Sequence, residues 1–272
     1  MEFEDISYSR ETTIAAVADF YTFLTKMYLD ESQVAYPPAG GWPEIVNADP
    51  AVLRSFGKSD EVLALLARLP YIQYPSGLWD HAAEPTPGHV FINWPDLLSI
   101  RDPNDEDPGR TLRLYTEGDF YDIYPPHRAS YVFLLDTKLG IIHWGNCSTR
   151  IENGEWTVNM IDKIDVEEEA QERSEEEADW RSSAPAWAIQ DFFEVLKDQF
   201  RKLHWVPISH YSVRNVAEGE YHGEDGMMAM LLDIYRRHGW PDLTVYRKED
   251  CIVNVLKAMK EKYPGSTCYR EG

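Results

Sequence analysis

Residues 120–147, FYDIYPPHRASYVFLLDTKLGIIHWGNC, decide the fold. In an extended chain Tyr131, Phe133 and Leu135 point to one side and Val132 and Leu134 to the other, so both faces are apolar and the segment reads as an interior strand. Asp136, Thr137, Lys138, Leu139 and Gly140 follow. An Asp that can bond its own downstream amides opens this stretch and a Gly that can take positive φ closes it, which predicts a hairpin with a four- or five-residue loop. Ile141 to Trp144 then returns antiparallel and stops at Gly145 and Asn146. Tyr124, Pro125 and Pro126 cannot belong to a central strand, because proline offers the ladder no donor; they predict a rigid entry. A ribbon that is apolar on both faces needs cover on both.

The cover is legible on either side. Ser9 to Leu29 carries Ile14, Val17, Tyr21, Leu24 and Tyr28 at alternating three- and four-residue steps, an amphipathic helix that the Pro- and Gly-rich stretch 36–43 breaks. Ser59 offers a cap before Asp60 and Glu61, and Val62, Leu63, Leu65, Leu66 and Leu69 form a core face that Pro70 ends. Residues 71–90 read as loop, Val90 to Trp94 as a short strand, Pro95 as the start of a helical turn, and Leu112 and Leu114 as part of a further strand. From Ser183 and Pro185 onward, Ile189, Phe192, Phe193, Leu196, Phe200 and Leu203 make an unbroken stripe suited to lying across the sheet. Met227 to His238 and Lys248 to Tyr263 read as two helices joined through Gly239, which suits a left-handed stop. The expected division is a domain over 1–212, a linker over 213–226, a helical hairpin over 227–263 packed on that domain, and a flexible tail over 264–272.

Charge narrows the function classes. The 272-residue chain has a formal net charge of −21, the opposite of the concentrated basic footprint that phosphate backbones require. Nucleic acid is therefore not an expected partner. No run approaches the roughly 18 apolar residues of a membrane helix, and the acidic start MEFEDISYSRE lacks the features of a signal peptide. Cys147, Cys251 and Cys268 are spaced too irregularly for a disulfide framework or a zinc site and are expected as free thiols. The expectation is a cytoplasmic or nuclear protein. Residues 162–181, DKIDVEEEAQERSEEEADWR, carry ten carboxylates against three basic side chains. Such a segment reads as a solvated loop or frayed helix, or as a docking surface for a basic partner, with Glu167, Glu168, Glu169, Glu175, Glu176 and Glu177 as its densest part. A divalent-metal site is the weakest reading, because no spacing matches a calcium loop and no Gly supplies the sharp turn.

The order of these parts resembles the SUKH superfamily, and particularly its fungal SMI1/KNR4-like branch, a superfamily that includes cell-wall-signalling regulators and toxin-immunity proteins. The resemblance rests on Leu69-Pro70 after a Leu-rich helix, on Trp94-Pro95-Asp96-Leu97-Leu98, on the hairpin from Val132 to Trp144 and on the closing helix from Trp187. It covers roughly residues 10–208. It implies an α+β fold, a twisted antiparallel sheet flanked by helices, and a role in protein–protein recognition without chemistry of its own. Family members bind unrelated partners through variable surfaces, so no site residue carries over.

Chemistry is the competing class. Asp136, His143 and Cys147 could form a nucleophile–base–carboxylate set, although Asp136 has a structural task at the turn. His204 and His210 match no strong metal template, and no cofactor is expected. The aromatic residues Trp42, Trp94, Tyr121, Tyr124 and Trp144, together with His127, could wall a pocket for a small molecule; this defines the alternative, a small-molecule binder or tailoring enzyme.

Overall fold

The computed structural model describes residues 5–55, 58–73, 83–99, 120–122, 132–145, 147, 159–161, 184–220 and 222–266. Within them the fold is mixed α+β. The described helices are α1 (Arg10–Met27), α2 (Pro43–Val46), α3 (Pro50–Ser55), α4 (Asp60–Leu66), α5 (Trp94–Ser99), α6 (Ile189–Arg201), α7 (Met227–Arg237) and α8 (Lys248–Lys262). The described strands are β1 (Val34–Ala35), β2 (Tyr71–Ile72), β3 (Phe120–Asp122), β4 (Val132–Asp136), β5 (Ile141–Gly145), β6 (Ala186–Ala188), β7 (Trp205–Pro207) and β8 (Val213–Asn215). The chain forms two compact units. One is Met1–Ala18, Tyr36–Tyr71 and Phe91–Val195; the other is Asp19–Ala35, Ile72–Val90 and Leu196–Gly272. The division falls within α1 and α6, and the stretch 213–226 lies inside the second unit.

The first unit is built on the hairpin. Four antiparallel strands run in the order β3-β4-β5-β6, so β4 and β5 are interior. Val132 pairs with Gly145, Leu134 with His143 and Asp136 with Ile141. The turn forms as its residues dictate: the Asp136 carboxylate accepts from the amides of Lys138 (2.7 Å) and Leu139 (3.1 Å). Gly140 donates its amide to the Asp136 carbonyl at 2.9 Å and takes φ +75°, a region that costs any other L-residue about 1–2 kcal/mol.

Both faces of the ribbon are covered. Phe133 and Trp144 face each other across the strands with ring centres 5.0 Å apart, edge to face. Phe192 of α6 lies over them, 5.0 Å from Phe133 and 6.0 Å from Trp144. Trp187 of β6 extends the same face, opposite Ile142. On the reverse face Ile141 and Ala186 pack with Ile161, flanked by Ile6 and Leu139. Every described side chain from Phe133 to Thr137 and from Ile141 to Trp144 is buried.

Two expectations shift at the edges. The segment before α6 is not its first turn but strand β6, whose Ala186, Trp187 and Ala188 pair with His143, Ile142 and Ile141. The edge of β5 supplies ladder partners that a short helical extension could not use. Val90 to Asn93 forms no strand; instead the Asn93 side chain accepts from the Asp96 amide at 3.2 Å and starts α5. Leu112 and Leu114 lie outside the described residues.

The second unit is an aromatic core. Phe200 contacts Phe23, Tyr28 and Trp205, and Trp240 joins Phe23 to Tyr246. Polar side-chain ends in this unit answer carbonyls at or just past helix ends. Trp240 donates to the Phe200 carbonyl (2.9 Å), Tyr246 to that of Met27 (2.9 Å) and the Lys248 ammonium to that of Leu29 (2.8 Å). Gly239 takes φ +99° after α7, as the left-handed stop requires. Val213–Asn215, inside the stretch expected as a linker, is β8, paired antiparallel with β7.

Candidate functional site

The hairpin end of the first unit holds most of the residues singled out for chemistry. Asp136 and His143 share one face of the sheet, since Leu134 opposes His143 and Asp136 opposes Ile141. Both are 0 % exposed. Asp136 Oδ1 accepts from two backbone amides, and the residues opposite Asp136 on the adjacent strands are Phe120 and Ile141. Cys147, half-buried, follows the end of β5. Asp136 thus holds the turn, and His143 sits in the covered face of the sheet.

The aromatic candidates occupy different surroundings. Trp144 is 0 % and Trp94 1 % exposed; both rings are spent on packing. Trp42 is half-buried, its ring tilted against Tyr71 with centres 5.8 Å apart, and its indole donates to the Leu69 carbonyl at 2.8 Å. The preceding Gly41 has φ +92°, and a Cβ there would lie 2.8 Å from the Ala67 carbonyl. Trp42 therefore anchors its loop to the end of α4. Tyr121 is in β3, while Tyr124 and His127 lie outside the described residues, as do Glu167, Glu168, Glu169, Glu175, Glu176 and Glu177.

The two histidines weighed for a metal have separate tasks. His204 Nδ1 faces the Gln199 side-chain oxygen at 3.4 Å, and His210 Nδ1 faces the Tyr28 carbonyl at 2.7 Å. Among the described residues, no three His, Cys, Asp or Glu side chains come together as a metal-binding group, and no helix is long and apolar enough to cross a membrane.

One polar centre in the first unit escaped the sequence reading. The Glu61 carboxylate accepts from the Tyr8 hydroxyl (2.8 Å) and from Arg10 Nε (2.8 Å), and Arg10 Nη2 lies on its second oxygen. The Arg10 fork holds the Glu61 carboxyl below the ordinary carboxylate range. Burial, then the bond to Glu61, raises the Tyr8 hydroxyl. Elsewhere in this unit burial and the nearby Glu44 charge push the Asp96 carboxyl upward. Glu61 had been read as a helix-start acid; its partners lie 53 and 51 residues away, and no local pattern announces them.

Compared with known proteins, the chain matches no family model, no curated protein and no solved structure.

Proposed function

We propose that this protein is a non-enzymatic recognition module of the SUKH type, binding a basic protein partner through its acidic surface. The observation that carries this reading is the covered ribbon. Phe192, Trp187 and Trp144 fill one face and Ile141, Ile161 and Ala186 the other, and the acid that chemistry would need is committed to the turn. A sheet filled on both faces supports recognition at the rim. The net charge of −21 sets the sign of the partner, because complementary potentials steer encounter and exclude like-charged competitors.

The test is capture of partners from native lysate by wild type and by a variant in which Glu167, Glu168, Glu169, Glu175, Glu176 and Glu177 are all Gln. Exposed charges are screened over about 8 Å at physiological ionic strength. Wild-type capture is therefore expected to slow as salt rises, and the Gln variant to lose most of that salt dependence. Recovery of the same proteins at the same rate by both, at low salt, overturns the electrostatic reading.

A further inference from the structure

The first residues described lie across the β4–β5 turn like a strand laid over a sill. Ser7 is exposed between the half-buried Ile6 and Tyr8, as expected of a short extended stretch with one face down. Ile6 packs with Leu139 against the buried Ile141, Ile161 and Ala186. The backbone passes so close that a Cβ on Gly140 would lie 2.7 Å from the Tyr8 nitrogen and 2.8 Å from the Ser7 carbonyl carbon. Tyr8 and Arg10 then both end on Glu61.

Among the described residues no backbone hydrogen bond ties Asp5–Tyr8 to the sheet. The tether is side-chain only, and the Arg10 and Glu61 side chains are 30 % and 38 % exposed, so water competes for it. This segment is thus held by a few separable contacts, not by the ladder that holds β3 to β6. The floor beneath it is the Gly140 turn, Ile141 of β5 and the Glu61 carboxylate of α4.

From this we propose that Ile6–Arg10 fills, in cis, a peptide-recognition seat. The ligand the seat takes in trans is a segment of the form apolar-x-Tyr-x-Arg carried by a partner. The apolar residue seats on Ile141, the bare Gly140 backbone lets the main chain approach, and the paired Tyr and Arg donors satisfy Glu61. The chain's own segment is then an autoinhibitory strap. This rests on reading the protein as a recognition module but not on the acidic stretch 162–181.

The probe is a fluorescent peptide of residues 2–12, EFEDISYSRET, titrated by anisotropy against the full chain. Ile6→Ser with Tyr8→Ser weakens the strap in cis. Because apparent affinity scales with the fraction of open seats, this variant is expected to bind at least about tenfold tighter than wild type. Adding Glu61→Gln should reverse most of that gain, and a scrambled peptide should not bind. Equal affinity for wild type and the strap variant, indifference to Glu61→Gln, or equal binding of the scrambled peptide overturns the proposal. Hydrogen exchange on unaltered wild type decides independently: residues 5–8 are expected to exchange far faster than β4 and β5, and exchange of the strap only together with the sheet refutes it. Failure of the peptide while salt-dependent capture persists would remove the seat and leave the module reading intact.

Discussion

Replacing Asp136 separates a turn-builder from a catalytic acid. Its carboxylate is fully buried and accepts two amides at 2.7 and 3.1 Å. Hydrogen bonds to charged groups contribute about 1.5–3 kcal/mol each, and a buried donor left without an acceptor costs about 1–3 kcal/mol. Asp136→Ala removes both bonds from the part-buried turn amides, for a combined loss of about 3 kcal/mol. Asp136→Asn keeps a carbonyl oxygen in the same place and forfeits only the charge assistance, about 1 kcal/mol. With a urea slope of about 2–3 kcal/mol per molar, the Ala variant should unfold about 1 M earlier than wild type, and the Asn variant less than half as much earlier. Tryptophan fluorescence reads the transition directly, since Trp144 and Trp187 lie in the sheet. Equal losses in the two variants, or no loss in the Ala variant, would refute the account of the turn. A turn-builder also makes Asp136→Asn nearly silent in any binding assay.

The Glu61 clasp has a pH signature. A carboxyl whose folded pKa is depressed stabilises the protein above its unfolded pKa of about 4.3, and that contribution is lost as pH falls through the folded value. The stabilities of wild type and Glu61→Gln, measured in urea, should therefore differ modestly at pH 7, by about 1 kcal/mol or less for so exposed a pair, and the gap should narrow as pH falls below the unfolded pKa; a gap that does not narrow in acid contradicts the clasp. Cys251, which is 0 % exposed, has its thiol pushed up to about 11 by burial. It should resist alkylation at pH 8 in the native protein and react once urea unfolds it, with mass mapping of the modified peptides as the readout; rapid native labelling would contradict its burial.

The hairpin was legible because its determinants are local. Five alternating apolar residues, an Asp that bonds the next amides and a Gly with positive φ are enough to place β4, the turn and β5 within a residue. The starts of α1 and α4 were equally plain, since Ser9 and Ser59 cap them through their own downstream amides, at 3.3 and 3.2 Å. What escaped is settled by distant partners. Ala186-Trp187-Ala188 reads as the first turn of a helix until the open edge of β5 is placed beside it. Val213–Asn215 reads as linker until β7 is there to pair with it. The Glu61 clasp joins residues more than fifty positions apart, and the strap it secures is too short to show a period of its own. Of the residues singled out for function, the hairpin set was placed by sequence and explained by packing, whereas the seat beneath Ile6 appears only once the turn and α4 meet.

The carbonyls that finish α1 are answered by Tyr246 and Lys248, in each case 219 residues further along the chain. During synthesis those oxygens emerge more than two hundred residues ahead of the side chains that answer them. The second unit, stitched from three separated stretches of the polypeptide, cannot close until α8 has emerged, and loop-closure entropy makes so distant a union slow. The hairpin of the first unit needs no such delay, so a nascent chain stalled before residue 240 would carry a finished ribbon while the carboxyl end of α1 is still open.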